Sequence, residues 1–538
     1  MSEEKQSENV IPYSYHTFIF PFIFNDSGKV TTNEFRRKIL TDYWEPDYRK
    51  DTPVTGWEYA QYCYFNPAAR NAIFTEEGDM NPVVQNFRYN VGKLAKDNGW
   101  LGSLKGKDNP VTYEIQKGDF HAVLRVNGIR LKLFDTGVGM LIFELENYDL
   151  PGEKDVILIN EYGRRVFMPY MDPNGRCKLC ADTVSLNYPG GSVDGFISGV
   201  KPERNSNIRL MTPITFLLSN DTHSITTEPR HEPNQLYIEP IIDDRMFVAC
   251  FYRNAELACR SADWDQAQKQ YHYLTDAEEM HPFAKDNMAS RLYQMMFVDG
   301  DGLSCHSRTM LCDMLKDHIY QRWLEYGWEE DGKPVVSGTV TGISEFSMVC
   351  VTACAEQYVQ TLINPFLTMY IEMAILALAQ RASLLAFERR ISDCTRGKGK
   401  VDQIQKDYVL FQSRLLLREV TPQQQGIELY DMLLKNLFID KECKDVESQI
   451  SALFTLQNET HNQWDNLLLF GLALIAVTDA VGFFFAWVKP LVHESMCVDA
   501  CEALCKFISN GACEAVIAFA LIAVLIAFYV VGHLKRLK

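Results

Sequence analysis

Basic residues are scarce in this chain. Its 538 residues include 53 Lys and Arg against 70 Asp and Glu, which gives a formal net charge of −17. A protein that binds a phosphate backbone needs a basic surface, so the charge balance argues against direct binding of nucleic acid. Global disorder is also excluded, because 47% of the residues are apolar and only 23% are charged. A single core rarely exceeds about 250–300 residues, so two to four domains are expected.

The common catalytic and phosphate-binding motifs are missing as well. The 11 His residues form no HExxH pair, and there is no GK[ST] phosphate loop and no G-x-G-x-x-G fingerprint. Cys177-x-x-Cys180 lacks a second cysteine pair at zinc spacing, so zinc is not predicted. The acidic pairs Asp243–Asp244 and Asp299/Asp301 are candidates for a regulatory divalent cation such as magnesium, with solvated turns as the alternative. Nothing here indicates catalysis, and the chain is predicted not to be an enzyme.

Long apolar runs are absent from most of the chain and concentrate at its end. Residues 467–488 read LLLFGLALIAVTDAVGFFFAWV with one charge, Asp479, and residues 513–532 read CEAVIAFALIAVLIAFYVVG. A bilayer core about 30 Å thick is crossed by about 20 helical residues, so each segment is long enough to span it. Two C-terminal transmembrane helices are therefore predicted, with a buried helical hairpin in a soluble core as the alternative.

The flanking segments predict an orientation. The start, MSEEKQSENV, has neither the basic nor the apolar region of a signal peptide. The tail HLKRLK is basic, and the positive-inside rule places it in the cytoplasm. Two crossings return the N-terminal part to the same side, which predicts a multi-pass protein of the inner (cell) membrane. The shorter run 366–379 contains Glu372 and is predicted to be a buried core helix rather than a span.

Four cysteines crowd the segment that connects the two predicted membrane helices. They are Cys497, Cys501, Cys505 and Cys513. The first three are one helical turn apart, a poor geometry for bonding to each other along one helix. Disulfides are expected on the extracytoplasmic side, either to Cys513 or between subunits, and the connectivity stays open.

The N-terminal half has the signals of a mixed α+β head. Residues 112–150 alternate apolar and polar positions around turns at 117–118, 127–128 and 135–137, which is typical of a β-meander. Further strands are predicted at 156–160 and 214–218, and a mobile insertion at 327–344. The predicted order is a disordered tail (1–10), an α+β cytoplasmic sensor domain (11–345), a helical section and stalk (346–466), transmembrane helix 1 (467–488), a cysteine-rich extracytoplasmic loop (489–512), transmembrane helix 2 (513–532) and a basic cytoplasmic tail (533–538).

A long helix is predicted between the head and the membrane. Thr421-Pro422-Gln423-Gln424 has the pattern of a helix start, with Thr as N-cap and Pro in the first turn. No further Pro occurs before Pro490, so a helix over 422–488 would be about 100 Å long. A helix of that length entering a membrane suggests a self-associating stalk.

One stripe of this helix is a candidate pore lining. Its positions are three or four residues apart, a 3.5-residue period that keeps them on one face. Amide and carboxylate rings would attract hydrated cations, and rings of Leu would close the pore by dewetting. The alternative is that the intramembrane carboxylate bonds to a neighbouring helix and lines nothing. The stripe consists of Asn458, Asn462, Asp465, Leu469, Leu472, Ala476 and Asp479.

Three segments together resemble the CorA family of divalent-cation channels. They are FDTGVGMLIFELENY in the head, VTPQQQGIELYDMLLKNLF at the start of the stalk, and the hairpin 467–532. The resemblance covers the architecture of residues 110–538. It implies a CorA-like fold with an α+β head, a long helical stalk and two C-terminal spans, and it implies a homo-oligomer, a pentamer in that family, with stalk helices around the pore.

One departure from the family alters the expected function. Magnesium-transporting members carry Gly-Met-Asn at the outer end of the first span, where this chain has AWVKP. The chain is more similar to the CorA-type membrane effectors of type III CRISPR systems, which respond to a nucleotide second messenger such as an S-adenosylmethionine–AMP conjugate (SAM-AMP). The expected function is therefore antiviral defence by opening a pore or disrupting the membrane. The alternatives are a magnesium or other divalent-cation transporter and a membrane-anchored scaffold without a pore.

A cluster of arginines in the head is the candidate ligand site. A phosphate-bearing messenger is best bound by guanidinium forks, and its adenines by apolar or aromatic walls. Tyr162, Phe167 and Tyr170 lie beside the first three arginines, and a glycine-rich loop, 187–199, precedes the last two. The alternative is that each arginine forms an ordinary surface ion pair. The arginines are Arg164, Arg165, Arg176, Arg204 and Arg209.

Overall fold

A computed structural model describes most of the first 457 residues and a few positions beyond them. It divides into two compact units, Met1–Ile450 and Ser451–Lys538. The described residues are 10–24, 31–48, 56–100, 102, 106–169, 177–196, 210–228, 234–262, 288–300, 317–328, 334–353, 356–396, 400–457, 469, 471–473, 476, 480 and 483.

Both helices and strands build the first unit, so the predicted mixture of α and β structure in the head is confirmed. The strands are β1 (Ser14–Ile23), β2 (Trp44–Pro46), β3 (Val84–Tyr89), β4 (Thr112–Lys117), β5 (Phe120–Phe134), β6 (Val138–Asn147), β7 (Thr183–Tyr188), β8 (Gly191–Phe196), β9 (Ser224–Thr226), β10 (Gln235–Tyr237), β11 (Glu239–Pro240), β12 (Phe247–Arg253), β13 (Ile319–Trp328), β14 (Pro334–Ile343) and β15 (Ser347–Ala353).

The helices occur on the flanks of the strands and dominate after Ala353. They are α1 (Thr32–Ile39), α2 (Gly56–Tyr64), α3 (Pro67–Ile73), α4 (Val91–Asp97), α5 (Glu153–Gly163), α6 (Thr212–Leu217), α7 (Ala255–Ala262), α8 (Met288–Phe297), α9 (Glu356–Pro365), α10 (Ile371–Thr395), α11 (Val401–Arg414), α12 (Gln424–Asn436) and α13 (439–457), with a 3₁₀ turn at Gly106–Asp108 and a π turn at Phe366–Tyr370.

One large sheet organises the head. Its main path runs β13-β14-β15-β12-β1-β6-β5-β4-β7-β8, with β3, β2 and β11 attached at the side. The pair β12–β15 is parallel, and the other pairs along this path are antiparallel. All ten residues of β1 are buried, because the strand lies at the middle of the sheet and both of its faces are covered. The sheet continues to Ala353, past the domain boundary predicted at residue 345.

Two of the three predicted meander turns are confirmed. Gly118 closes the β4–β5 hairpin and Gly137 the β5–β6 hairpin, both at positive φ, where glycine is favoured. The predicted turn at 127–128 is wrong. Asn127 and Gly128 form a bulge inside the long strand β5, where the pairing with β6 shifts between Val126 and Gly128.

Three other predictions for the head are wrong. Residues 156–160 and 214–218 are not strands, because they lie in or at the end of helices α5 and α6. Short apolar runs do not distinguish a buried strand from a buried helix, and here Gly152 and Pro213 at the helix starts decide for helix. The predicted mobile insertion 327–344 instead contains the whole of strand β14, which pairs with both β13 and β15.

Helix α10 connects the sheet to the helical layer. It contacts β1 and β6 on one side and α11 and α12 on the other. Most of its residues from Ile371 to Phe387 are buried, so the prediction of a core helix for the run 366–379 is confirmed. The preceding π turn follows Pro365, whose ring removes one backbone N–H from the helix.

A buried ion network fixes α10 on the sheet. Glu372 of α10 accepts from Arg130 Nη1 at 2.5 Å and from Lys132 Nζ at 2.9 Å, and Arg130 Nε also lies 2.8 Å from Glu144. Burial raises the pKa of a carboxyl, but the two neighbouring cations outweigh it and hold the pKa of Glu372 below its usual value. The ionised carboxylate is therefore the form that joins helix and sheet.

The predicted stalk starts later than expected and is interrupted. Thr421 is not an N-cap, because α12 begins at Gln424 and the Thr421 hydroxyl donates to the Tyr64 carbonyl at 2.6 Å. The unbroken helix predicted from residue 422 is also wrong, since α12 ends at Asn436 and α13 begins at residue 439. Residue Phe438, between the two helices, has a φ of +58°.

Few positions of the second unit are described. Residues 451–457, 469, 471–473, 476, 480 and 483 are helical. Among the described residues, one helix, Gln360–Thr395, is long and apolar enough to cross a membrane, and 67% of its most apolar window is buried inside the protein. The predicted spans lie largely (467–488) or wholly (513–532) outside the described residues, so the two C-terminal spans stay predictions.

Candidate functional site

The end of helix α5 carries two of the predicted ligand arginines. Gly163 ends the helix, and the next three residues run beside the segment that leads into β12. Val166 N donates to the Asp244 carbonyl at 3.0 Å, and Met246 N donates to the Arg164 carbonyl at 2.7 Å. This backbone pairing brings Arg164 and Arg165 against an acidic segment that is distant in sequence.

Arg164 is fully buried. Its Nη2 donates to the Val298 carbonyl at 2.7 Å and lies 3.3 Å from Glu161 Oε2, whereas its Nε and Nη1 have no hydrogen-bond partner. Burial lowers the pKa of Arg164 to about 10, so the side chain stays charged at neutral pH. An unpartnered buried donor costs about 1–3 kcal/mol, so these two N–H groups need an explanation.

Arg165 is almost as deeply buried but better paired. Its Nη1 bonds to Asp244 Oδ2 at 2.5 Å and its Nη2 to Glu161 Oε1 at 3.0 Å, while its Nε has no partner. Burial alone would lower its pKa, but the charges of Glu161 and Asp244 outweigh burial and raise it. Glu161 is thus shared by two buried guanidinium groups.

The cluster extends to a third arginine and an aromatic ring. Arg245 bonds to Asp243 Oδ2 through Nε at 2.5 Å, and its Nε lies 3.4 Å from Asp244 Oδ1. The guanidinium carbon of Arg245 lies 4.5 Å from the centre of the Phe346 ring, and that of Arg164 lies 5.7 Å from it. Burial and the nearby Asp243 raise the pKa of Asp244 to about 6. We call Glu161, Arg164, Arg165, Asp243, Asp244, Arg245 and Phe346 the arginine cluster.

The other predicted ligand arginines lie outside the described residues: Arg176, Arg204 and Arg209. The described residues that follow these segments lie beside the cluster. Met211 N donates to the Val166 carbonyl at 2.8 Å. Burial raises the pKa of the Cys180 thiol, and Arg165 is close enough to oppose that shift. The structure therefore brings Arg164 and Arg165 together and leaves the position of the other three as a prediction.

The acidic pair of the cluster is used in ion pairs with arginine. Asp243 and Asp244 face Arg165 and Arg245, which excludes the solvated turn as the interpretation of this pair. Of the other acidic pair, Asp299 lies just after α8, where its backbone N–H donates to the Gln294 carbonyl at 3.1 Å, and Asp301 lies outside the described residues. Within the described ranges no group of three or more His, Cys, Asp or Glu side chains has the arrangement of a metal site.

Sequence reasoning missed the partners that make the cluster. Phe346, Val298 and Asp244 are separated from Arg164 by long stretches of chain, and only the fold brings them there. Glu161 was recognisable in principle, because it precedes Arg164 by three residues and Arg165 by four, the spacing of neighbours on a helix face.

A second polar group was also missed, at the start of strand β1. Ser14 Oγ lies 2.8 Å from His16 Nε2, and His16 Nδ1 lies 2.6 Å from Asn160 Oδ1. The order of a hydroxyl, an imidazole and an orienting side chain is that of a nucleophilic triad. All three residues are fully buried, however, so no substrate reaches the hydroxyl. Burial lowers the pKa of His16 to about 4. The neutral ring is therefore a buried, hydrogen-bonded part of the core.

Part of the predicted pore stripe is described. Leu469 and Leu472 are 63% and 60% exposed, and Phe483, on the same helical face, is 79% exposed. Ala476 is exposed as well. The other stripe residues, Asn458, Asn462, Asp465 and Asp479, lie outside the described residues. So do the predicted disulfide cysteines Cys497, Cys501, Cys505 and Cys513.

Comparison with protein families and curated proteins finds no match for this chain. No protein-family model matches it, and no curated protein matches it significantly. The similarity to the CorA family therefore depends on the segments quoted above from the sequence, and the function is argued from the chain's own residues.

Proposed function

We propose that the chain is a CorA-like membrane effector gated by a nucleotide second messenger in type III CRISPR antiviral defence. The head binds the messenger, the helical stalk transmits the change, and the terminal helices of several copies open a pore or disrupt the membrane. The head and the C-terminus lie in the cytoplasm of a multi-pass membrane protein. SAM-AMP is the messenger to test first, and a homopentamer is the assembly to test first.

The observation that carries this proposal is the bare apolar face within residues 467–488. Its described positions are apolar and exposed, and apart from the neighbours Leu472 and Ala473 they lie three or four residues apart in sequence. Burying a Leu or Phe side chain contributes about 1.5–3 kcal/mol, so such a face is unstable in water. Lipid and neighbouring copies of the same helix are the two environments that would cover it. The positions are Leu469, Leu472, Ala473, Ala476, Ala480 and Phe483.

The arginine cluster supports the ligand part of the proposal. Arg164 and Arg165 together have three buried guanidinium nitrogens without a hydrogen-bond partner, Nε and Nη1 of Arg164 and Nε of Arg165. Phosphate oxygens accept from guanidinium groups through short charge-assisted bonds. Arg164 and Arg165 are themselves too buried to be reached, so an anionic messenger would meet the cluster at Arg245, whose side chain is 23% exposed in a chain of net charge −17.

The test uses the full-length chain in liposomes that contain a quenched fluorophore. SAM-AMP is added outside vesicles whose protein heads face outwards, and AMP and S-adenosylmethionine are added separately as controls. We expect dye release with the conjugate and none with either half. Release that needs no nucleotide would contradict gating, and an intact membrane at full occupancy of the conjugate would contradict the effector function.

The same vesicles distinguish a magnesium transporter from the proposed nucleotide-gated effector. A magnesium-sensitive dye inside them reports uptake driven by an outside magnesium gradient. Magnesium entry without nucleotide, and without leakage of the larger fluorophore, would identify a magnesium transporter instead. A scaffold without a pore would give neither signal.

A further inference from the structure

Arg245 lies where the arginine cluster meets the surface. Its side chain is 23% exposed, whereas those of Arg164 and Arg165 are 0% and 4% exposed. The backbone at this position is held in place, because Arg245 forms an isolated β-bridge with Arg165 and Met246 N donates to the Arg164 carbonyl at 2.7 Å. An anion that approaches the cluster from solvent therefore meets a cation on a well-anchored backbone.

The carboxylate of Asp243 covers this cation. Its Oδ2 accepts from Arg245 Nε at 2.5 Å and also contacts Arg245 Nη2. These two nitrogens form one edge of the guanidinium plane, and such an edge is the fork by which arginine binds carboxylate and phosphate oxygens. Asp243 thus occupies, with a single oxygen, the edge that a phosphate group would use.

The two oxygens of Asp243 have different partners. Oδ1 accepts from the backbone N–H of Asp244 at 2.7 Å, a local bond that fixes the side chain over its own turn. Oδ2 forms the ion pair with Arg245, which is only two residues further along the chain. Because the tether is so short, the carboxylate stays at a high effective concentration beside the guanidinium group. An external anion has to compete with it.

The other carboxylates of the cluster are bonded to the buried arginines. Asp244 Oδ2 bonds to Arg165 Nη1 at 2.5 Å, and its Oδ1 lies 3.4 Å from Arg245 Nε. Glu161 is shared by Arg164 and Arg165. If Asp243 moves away, the nearest remaining carboxylate is held by a different arginine and leaves the Nη2 side of Arg245 open to an anion.

An aromatic ring supports the guanidinium group independently of Asp243. The guanidinium carbon of Arg245 lies 4.5 Å from the centre of the Phe346 ring. Cation–π attraction acts on the face of the guanidinium plane and leaves its N–H edges free to bond. Arg245 therefore keeps a contact that orients it when its ion pair with Asp243 is broken.

We propose that Arg245 is an anion-binding residue masked by Asp243, and that a phosphate group binds it by displacing the Asp243 carboxylate. No covalent bond changes, since one ion pair replaces another. The contact between Asp243 and Arg245 is thus autoinhibitory, and it raises the concentration of anion needed for binding. That the phosphate belongs to a nucleotide messenger rests on the proposed function, whereas the masking is a property of the chain itself.

Inorganic phosphate is the probe for masking. Its affinity is measured by isothermal titration calorimetry on the full-length chain in detergent, with chloride added to keep the ionic strength constant. Asp243→Asn keeps Oδ1 for the Asp244 N–H and replaces Oδ2 by an amide that cannot accept from Arg245. If the carboxylate covers Arg245 for at least about nine-tenths of the time, its removal tightens phosphate binding at least about ten-fold. We expect a gain of that size.

Two further variants control the measurement. Asp149→Asn makes the same change of charge at an exposed ion pair with Lys107 and is expected to bind phosphate like the wild type. Arg245→Gln, added to Asp243→Asn, is expected to abolish the gain. Asp243→Ser is the second unmasking variant, because its hydroxyl can accept the same bond from residue 244.

Three results would overturn the proposal. Equal phosphate affinity in Asp243→Asn and Asp149→Asn would show that Asp243 does not mask an anion site. A gain that survives Arg245→Gln would place the anion elsewhere. Absence of phosphate binding in both Asp243→Asn and Asp243→Ser would show that Arg245 does not bind anions.

Dye release from liposomes separates this proposal from the proposed function. We expect Asp243→Asn to respond to a several-fold lower concentration of SAM-AMP than the wild type. A chain that gains phosphate affinity but releases no dye with SAM-AMP would retain the masking and lose the proposed function. Dye release at the same SAM-AMP concentration in both proteins would retain the function and lose the masking.

Discussion

At the scale of single residues, several charged side chains are buried, where the loss of hydration is unfavourable. Glu161 is the shared partner of Arg164 and Arg165, and all three side chains are almost completely buried. A buried ion pair adds little net stability compared with apolar packing, but removing one member leaves an uncompensated charge. The carboxylate of Glu161 is therefore the most sensitive atom group of the cluster.

We predict that Glu161→Gln destabilises the fold by about 3–5 kcal/mol, because it leaves two buried guanidinium groups short of a counter-charge. Urea denaturation of the full chain in detergent measures the change. Asp149→Asn is the control, since it breaks an ion pair with Lys107 whose side chains are 41% and 52% exposed, and it is expected to cost less than about 1 kcal/mol. Equal losses in the two variants would show that the cluster is not the buried network described above.

A second residue-scale prediction concerns pH. His16 has a pKa of about 4 in the fold and about 6.5 when unfolded, so between these values the unfolded chain binds more protons. Stability from this residue is therefore complete above about pH 6.5 and decreases as the pH falls towards 4. Asp135 and Asp244, whose pKa values are raised to about 6, act in the opposite direction over part of this range.

The contribution of His16 is isolated by difference. Denaturation of the wild-type chain and of His16→Gln from pH 7.5 to 5 should give curves that converge as the pH falls, because only the wild type loses stability through the imidazole. A constant gap between the two curves would mean that folding does not shift the pKa of the ring.

At the scale of secondary-structure elements, one side chain joins three parts of the helical layer. Gln380 of α10 donates through Nε2 to the Leu415 and Leu417 carbonyls at 3.0 and 3.1 Å and to the Tyr430 hydroxyl at 2.8 Å. The two carbonyls follow α11, and Tyr430 belongs to α12. The packing of three helices therefore depends on a single buried amide.

We predict that Gln380→Leu costs about 1–3 kcal/mol in total, because the Tyr430 hydroxyl still donates to the Leu417 carbonyl and Leu417 N still donates to the Leu415 carbonyl. Thermal unfolding gives the total, and hydrogen exchange across α11 and α12 shows where the protection is lost. Gln403→Leu, which removes an exposed bond to Asp407, is the control and is expected to change little. Loss of protection confined to α10 would contradict the three-way role.

The elements also indicate what the sequence can and cannot predict. The turns at Gly118 and Gly137 were predictable, because glycine at a hairpin is a local requirement. The helix at 156–160 was not, since its apolar run fits either a strand or a helix and tertiary packing decides between them. The same is true of Phe438, whose φ of +58° interrupts a sequence pattern that favours one continuous helix.

At the scale of the whole molecule, the proposed pore depends on leucine. If Leu472 closes the pore by excluding water, a polar side chain at that position should hydrate it. We predict that Leu472→Ser gives dye release from liposomes without nucleotide, at least several-fold above wild type. Leu456→Ser, an equally exposed position off the predicted stripe, is the control. Wild-type leakage in Leu472→Ser would exclude a leucine gate at this residue.

The candidate site could be located from the sequence only in part. Arg164 and Arg165 were identified because they lie beside Tyr162 and Phe167 in a turn-rich segment, and guanidinium groups with aromatic neighbours suit a nucleotide. Their burial and their contacts with Val298 and Phe346 were not predictable, because these depend on elements far apart in sequence. The two C-terminal spans stay predictions from length and hydropathy, because their residues lie largely outside the described part of the chain.

The position of β1 has a consequence for synthesis on the ribosome. This fully buried strand is made first, yet one of its long edges pairs with β12, and β12 in turn with β15, which ends at Ala353. Until those residues leave the exit tunnel, a strongly apolar strand edge has no neighbour and is exposed to association with other nascent chains. Translation of the second half of the head therefore sets how long this vulnerable intermediate lasts, and a chaperone that binds extended apolar segments should associate most strongly with chains stalled between β6 and β12.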